Sequence, residues 1–250
     1  MKIAAICPTY KRPELLGNSI ACFLAQETQP HVQTRLFILD DAAQFRCQKT
    51  EKWEIESTGA RFQNLPDKYN HLAAKAIYWG ADVLTIWEDD DVFLPWHLAN
   101  AVFAVAHGVK FVRTRHVYSN YALPKNGSTQ LEGAAGRFHS SWSFTTKAFS
   151  EVGGWPRTSR LDFDQQLNGK LCDLDPLIEG GRTADVLGCL RPSYVYRWGN
   201  NTYHGSQSGE AGFKALWDDL GTRPAPFVEV PTIRFDDETK AIYSKLIPDA

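Results

Sequence analysis

The sequence predicts an α/β fold, a Rossmann-like and mostly parallel sheet flanked by helices, followed by a half of mixed character. Three observations carry this expectation. In the first half, short apolar runs rich in β-branched residues alternate with stretches of helical period, the rhythm of parallel sheets covered on both faces. The apolar run ADVLTIW ends in four consecutive acids, Glu88, Asp89, Asp90 and Asp91, and open α/β sheets bind ligands beyond the carboxyl ends of their strands. With 43% hydrophobic residues in a chain of 250, there is enough apolar material for one substantial core.

The elements follow in order. Residues 2–7, KIAAIC, form an apolar strand, and residues 8–12 form a polar turn. Residues 13–26 place Leu15, Leu16, Ile20, Phe23 and Leu24 at helical spacing, with Pro13 suited to a first turn. Residues 35–41, RLFILDD, form a second strand ending in acids, and residues 53–57 a short alternating one. Residues 65–80 form a helix with Asp67 as its cap and Gly80 as its stop. Residues 81–87 are the strand before the acids, and residues 96–108 a further helix. Beyond it, 110–119 reads as a strand, Asn126-Gly127 as a hairpin turn, and 194–198 as a last strand. Residues 200–212 are polar and rich in Gly and Ser, which predicts a loop. Residues 221–250 are punctuated by proline and read as a tail wrapping the surface.

Composition narrows the function classes. A net charge of −2 excludes a chain that binds nucleic acid by bulk electrostatics. The charge is uneven: residues 110–200 hold 12 Lys/Arg against 8 Asp/Glu, a mild positive surplus. Cys7, Cys22, Cys47, Cys172 and Cys189 are odd in number and never form a CxxC pair, which favours reduced thiols and a cytoplasmic setting. No basic-then-apolar leader opens the chain, and no apolar run approaches the ~18 residues of a membrane span. Four adjacent carboxylates repel one another, so a divalent cation is their natural partner. Ligands that are all carboxylate suit Mg²⁺ or Mn²⁺, which complete their shells with substrate phosphates.

Five segments in order resemble the family-2 glycosyltransferases of the GT-A fold: ICPTYKRPELLGNSIACFLAQ, LFILDDA, LPDKYNHLAAKA, ADVLTIWEDDDVFLPWHL and SWSFTTKAFSEVGGWPRTSRLDFDQQL. They cover roughly residues 3 to 170. The resemblance implies a single GT-A domain over 1–220, divided into a nucleotide-sugar half (1–109) and an acceptor half (110–220). It also implies an activity: transfer of a sugar from a nucleoside-diphosphate donor, most often UDP-linked, to an acceptor hydroxyl with inversion. The loop Pro8, Thr9, Tyr10, Lys11 and Arg12 matches the family's nucleotide-holding turn. Tyr10 suits stacking on a base, and Lys11 and Arg12 suit phosphate. An acid at Asp40 or Asp41 is expected to accept the uracil N–H. Lys68 and Asn70 match a segment near the donor phosphates.

The acids match the family's DXD-type motif. Counted back from Pro95, Glu88 holds the first acidic position, and Asp90 and Asp91 the later ones; Asp89 lies among them on the nucleotide side. Glu in the first place departs from the usual Asp. The resemblance assigns Mn²⁺ or Mg²⁺ to Asp90, Asp91 and Glu88, with His204 as a further candidate ligand in the polar loop. Gly153 and Gly154 match a glycine pair that approaches the sugar, with Trp155 beside it. Some ten residues on, the family carries Glu-Asp. Here Leu161-Asp162 keeps only the Asp, expected to be the catalytic base, with Asp164 the competing candidate.

The acceptor stays open at this level. Most family members act on glycans. Small stand-alone members also occur in viruses, where the acceptor can be a 5-hydroxymethyl pyrimidine in phage DNA, flipped out of the duplex to react. Such a chain would work in the host cytoplasm. Loss of the acidic pair's Glu and the altered first acid leave a third reading, a nucleotide-sugar or glycan binding module without catalysis.

Overall fold

The computed structural model describes residues 1–119, 129–134, 136–158, 160, 162–197 and 224–247. Strand β1 (Lys2–Thr9) runs through the middle of the molecule and is buried from Ile3 onward. Its side chains alternate between two cores, as the pleat requires. Ile3, Ala5 and Cys7 face one apolar cluster, and Ala4 and Ile6 face the other. A near-continuous apolar run, instead of polar alternation, is the mark of a strand covered on both faces.

Helix α1 (Pro13–Leu24) begins at Pro13, whose missing N–H costs nothing in a first turn. Strand β2 (Gln33–Asp40) follows, then β3 (Gln48–Lys49) and β4 (Trp53–Ser57). Helix α2 (Leu65–Tyr78) is capped by Asn64, not by Asp67: the Asn64 side chain accepts from the Asp67 N–H at 2.9 Å and donates to its carboxylate at 2.8 Å. Asp67 is therefore the third residue of the helix, not its cap. The helix stops before Gly80, which has φ of +89°. Next come β5 (Val83–Ile86), β6 (Val92–Phe93) and α3 (His97–Ala106).

The strand expected over 110–119 divides in two. β7 (Phe111–Val112) joins the large sheet, and β8 (His116–Ser119) joins a small one. Asp175 accepts the backbone N–H groups of Lys110 and Phe111, which ties the first piece down while the chain crosses over. β8 pairs antiparallel with β9 (Gln130–Gly133); the Asn126-Gly127 turn lies outside the described residues. A 3₁₀ turn (His139–Ser141) leads into β10 (Ser143–Thr145), α4 (Thr146–Glu151), α5 (Phe163–Leu174), α6 (Arg182–Gly188) and β11 (Tyr194–Tyr196). The last described element is α7 (Asp237–Leu246).

Among the described residues the large sheet has seven strands in the order β3-β4-β2-β1-β5-β10-β7, and the small one has the order β6-β11-β8-β9. β4, β2, β1 and β5 are mutually parallel; β10 runs antiparallel to both β5 and β7. One face of the large sheet packs against α1, α3 and α7, and the other against α2, α4 and α5. The segment expected to be a surface tail thus supplies a helix whose Ile242 and Tyr243 are buried in the first core. No described helix is long and apolar enough to cross a membrane.

Candidate active site

β1 lies between β2 and β5 and is parallel to both. The carboxyl ends of these three strands emerge on one edge, and the chain leaves β1 in one direction while β5 returns on the other side. That is the switch point where open sheets form a ligand crevice. Register fixes what gathers there: Thr9 stands opposite Asp40, and Ile6 opposite Ile86. The Trp87 N–H extends the ladder to the Ile6 carbonyl, and its indole stacks on Phe93 at 3.8 Å and donates to Ser19 Oγ at 2.9 Å. The acid turn from Glu88 to Asp91 is therefore held between two buried aromatic anchors.

Each acid has a different environment. Asp89 accepts from Thr9 Oγ1 at 2.6 Å and pairs with Arg12 Nη2 at 2.6 Å. Burial pushes its carboxyl up to about 6, with Arg12 opposing and Asp90 adding to the rise. Asp90 Oδ2 accepts from Arg12 Nη1 at 2.8 Å, while Asp90 Oδ1 is buried without a hydrogen-bond partner. Asp91 accepts from Tyr194 Oη at 2.6 Å and from the Arg197 N–H at 3.1 Å. Burial, then repulsion from Asp90 and Glu88, raises its carboxyl well above the usual range. Glu88 accepts from Tyr69 Oη at 2.8 Å and lies 3.5 Å from His139 Nδ1. Burial opposes its ionisation, but His139 and Tyr69 outweigh it and hold the carboxyl well below the ordinary range.

The neighbouring loops supply cations. Tyr10 is buried beneath three of them: Arg61 lies 4.5 Å from its ring centre, Lys11 5.2 Å and Lys68 5.3 Å. Lys11 itself has φ of +55°, a strained conformation for a side chain of this size and one that clusters at ligand clamps. Lys68 is buried and paired with Asp41. Burial lowers its pKa, and the Asp41 charge opposes that fall. The two candidate uracil acceptors differ. Asp40 accepts four hydrogen bonds, three on Oδ2 from the Gln44 and Phe45 N–H groups and Ser57 Oγ, and one on Oδ1 from the Ala42 N–H. Asp41 accepts from Lys68 and the Phe62 N–H, and so keeps acceptor capacity.

Asn70 reads both backbone groups of Trp155: Nδ2 donates to the carbonyl at 2.9 Å, and Oδ1 accepts the N–H at 3.0 Å. It therefore clamps α2 to the turn after α4. Gly153 and Gly154, with φ of +79° and +75°, end α4, and a Cβ on Gly154 would fall 2.7 Å from Asn70 Oδ1. Trp155 is 1% exposed, stacked on Tyr69 at 4.9 Å, with its indole N–H 3.3 Å from His139 Nε2. Its ring belongs to the core and is not exposed as a sugar platform. Asp162 precedes α5 without capping it. Its carboxylate instead accepts from Arg160 Nε and Nη2, both at 3.0 Å, and from Gln166 at 3.1 Å. Phe163, the next residue, packs on His139 and Tyr69, so Asp162 stands one residue from the pair that holds Glu88. Among the described residues Asp164 bonds only Gln165. His204 lies outside the described residues.

No protein-family model matches the chain, and no curated protein matches it in sequence. Solved structures do resemble it. S. aureus TarS 1-349 superposes with a TM-score of 0.55 at 12% identity, over 79% of this chain and 60% of that one. The same protein in complex with UDP-GlcNAc gives 0.53 at 13%, over 88% and 65%. In complex with UDP it gives 0.54 at 11%, over 89% and 71%. The fold is GT-A. The chain spans under half of TarS in its longer form, 43%.

The structure gathers Glu88, Asp90, Asp91, Thr9, Arg12, Asp41 and Lys68 at one edge, and it adds residues that pattern reading did not link to the acids. Tyr69, His139, Tyr194 and Arg197 each touch an acid of the motif. Tyr69 adjoins Lys68 in the chain and was within reach of the helix reading. Tyr194 and Arg197 lie in the strand expected over 194–198, whose end resembles the start of the family's C-terminal loop, but nothing local ties them to the acids; His139 comes from a segment without a signal. Glu88, Asp90 and Asp91 each present an oxygen within 4.8 Å of the others, and the unpartnered Asp90 Oδ1 is a buried acceptor lacking a donor. Hard oxygen donors and one open lone pair fit Mg²⁺ or Mn²⁺.

Proposed function

We propose that this chain is a divalent-metal-dependent, inverting glycosyltransferase of the family-2 type, which moves a sugar from a UDP-linked donor to an acceptor hydroxyl. The observation that carries the reading is the buried, unpartnered Asp90 Oδ1 within an acid triad at the switch point of a GT-A sheet. Structures of the same fold have been solved with UDP-GlcNAc and with UDP, which supports the donor class.

Asp90 would be the principal ligand, with Glu88 and Asp91 completing the protein's share. A bound Mn²⁺ or Mg²⁺ supplies Lewis-acid neutralisation of diphosphate charge. The chain's own residues do the rest. Lys11, Arg12, Arg61 and Lys68 surround the Tyr10 loop with positive charge suited to phosphates. Asp41, with acceptor capacity left, is the better candidate for the uracil N–H. Asp162 takes the acceptor's hydroxyl proton as that oxygen attacks the anomeric carbon. The bond from that carbon to the diphosphate oxygen breaks, its electron pair leaves with the diphosphate, and the proton ends on the carboxylate. Calorimetry tests the reading. UDP should bind with Mn²⁺ and much more weakly with EDTA, and Asp90→Asn should lose the difference. Equal affinity in both conditions would remove the metal from the proposal.

A further inference from the structure

A buried arginine stands behind the acid motif. Arg197 Nε donates to the Asp90 carbonyl at 2.6 Å, and its backbone N–H donates to Asp91 Oδ1 at 3.1 Å. Arg12 already pairs with Asp89 and Asp90, and a second guanidinium beside Asp90 and Asp91 would by charge alone turn onto them and compete with a cation. It is held elsewhere: Nη1 donates to Asp236 Oδ2 at 2.7 Å and lies 3.6 Å from Glu238 Oε2. Asp236 is itself fixed. Its other oxygen caps α7 by accepting from the Thr239 N–H at 2.7 Å, and its own N–H donates to Asn18 Oδ1 on α1 at 3.0 Å. Asp236 lies 146 positions after Asp90 in the chain, in a segment outside every motif.

We propose that Asp236 is a positioning residue for the cation site. From the cap of α7 it holds the Arg197 guanidinium on the Asp90 carbonyl and off the acid side chains, so that the turn is preset to receive a divalent cation. The inference rests on the acid triad being that site. Outer partners of metal ligands commonly shift metal affinity by about 10–100-fold, and the clamp belongs to that range.

The substitution Asp236→Asn separates clamp from cap, because Asn caps a helix as well as Asp does while losing the charge that holds Arg197. Mn²⁺ binding is followed by electron paramagnetic resonance on the purified chain, without substrate, beside circular dichroism and melting. Asp236→Asn should weaken Mn²⁺ by about 10–100-fold with unchanged helix content, and Asp236→Glu should recover part of the loss. Ile242→Val, which thins the packing of α7 without touching the polar chain, should lower the melting temperature and leave Mn²⁺ affinity unchanged. If Asp236→Asn binds Mn²⁺ like the parent, or if Ile242→Val weakens it equally, the clamp is overturned while the cation site stands. If the parent binds no Mn²⁺, the cation site falls and the clamp with it.

Discussion

Asp162 and Arg160 form a bidentate ion pair at the surface, and this pair sets the pH behaviour expected of the base. Hydrogen bonding from Arg160 favours the ionised carboxylate and holds its pKa below the ordinary value. A base works only when ionised, so the acid limb that Asp162 contributes should lie at that lowered value, below any limb that the raised Asp89 and Asp91 contribute. Arg160→Ala removes the hydrogen bonds, and the acid limb of a pH–kcat profile should move to higher pH; a limb that does not move would refute the pairing. Asp162→Asn should lower kcat by about 10²–10⁴-fold with donor affinity kept, and Asp164→Asn should retain most activity. If Asp164→Asn is instead the inactive variant, the base lies two residues on. At this scale the sequence narrowed the choices without deciding among them. Asp40 and Asp41 are chemically alike in the chain, and among the described residues Asp40 accepts four hydrogen bonds where Asp41 accepts two.

Two elements meet at the turn after α4. Asn70 on α2 holds both backbone groups of Trp155, and Gly154 between them has φ of +75°. A side chain there is strained by conformation and also meets Asn70 Oδ1 at 2.7 Å. Gly154→Ala should destabilise the protein by about 1–3 kcal/mol, read as a lower urea midpoint at unchanged m-value. A midpoint equal to the parent's would mean that the turn relaxes freely. Helices α1 and α2 and strands β1, β2 and β5 were readable from apolar period and end signals, although the cap of α2 is Asn64 and not the expected Asp67. The strand expected over 110–119 was not. Its two short pieces belong to different sheets, and the first is tied at its start by the distant Asp175.

Across the whole molecule, the segment before α7 acts as a strap. Val228 bridges to Phe45, Gln48 donates to the Glu229 carbonyl at 2.8 Å, and Thr232 crosses α1 at Gly17. A Cβ on Gly17 would stand 2.1 Å from the Thr232 carbonyl oxygen, which as backbone has little room to give. Gly17→Ala should therefore lift the strap, and limited proteolysis should cut within 224–236 faster than in the parent. Cleavage at the parent's rate would show that the strap does not depend on this contact. Proline punctuation marked this region as irregular, but pattern alone gave no sign that its end returns to the core and to the site.

The sequence by itself determined the alternation of strand and helix, and with it the sheet edge to which the first, second and fifth strands deliver Thr9, Asp40 and the acid run. Those facts are local, written in apolar period and in residues a few positions apart. Tertiary structure alone decided which acid keeps an open oxygen, which is tied to Tyr194, and which is held by Tyr69 and His139. It also decided that Arg197 and Asp236 stand behind them. A carboxylate's role depends on the donors around it and on its distance from water. Here those donors come from residues far away in the chain, which no local period records.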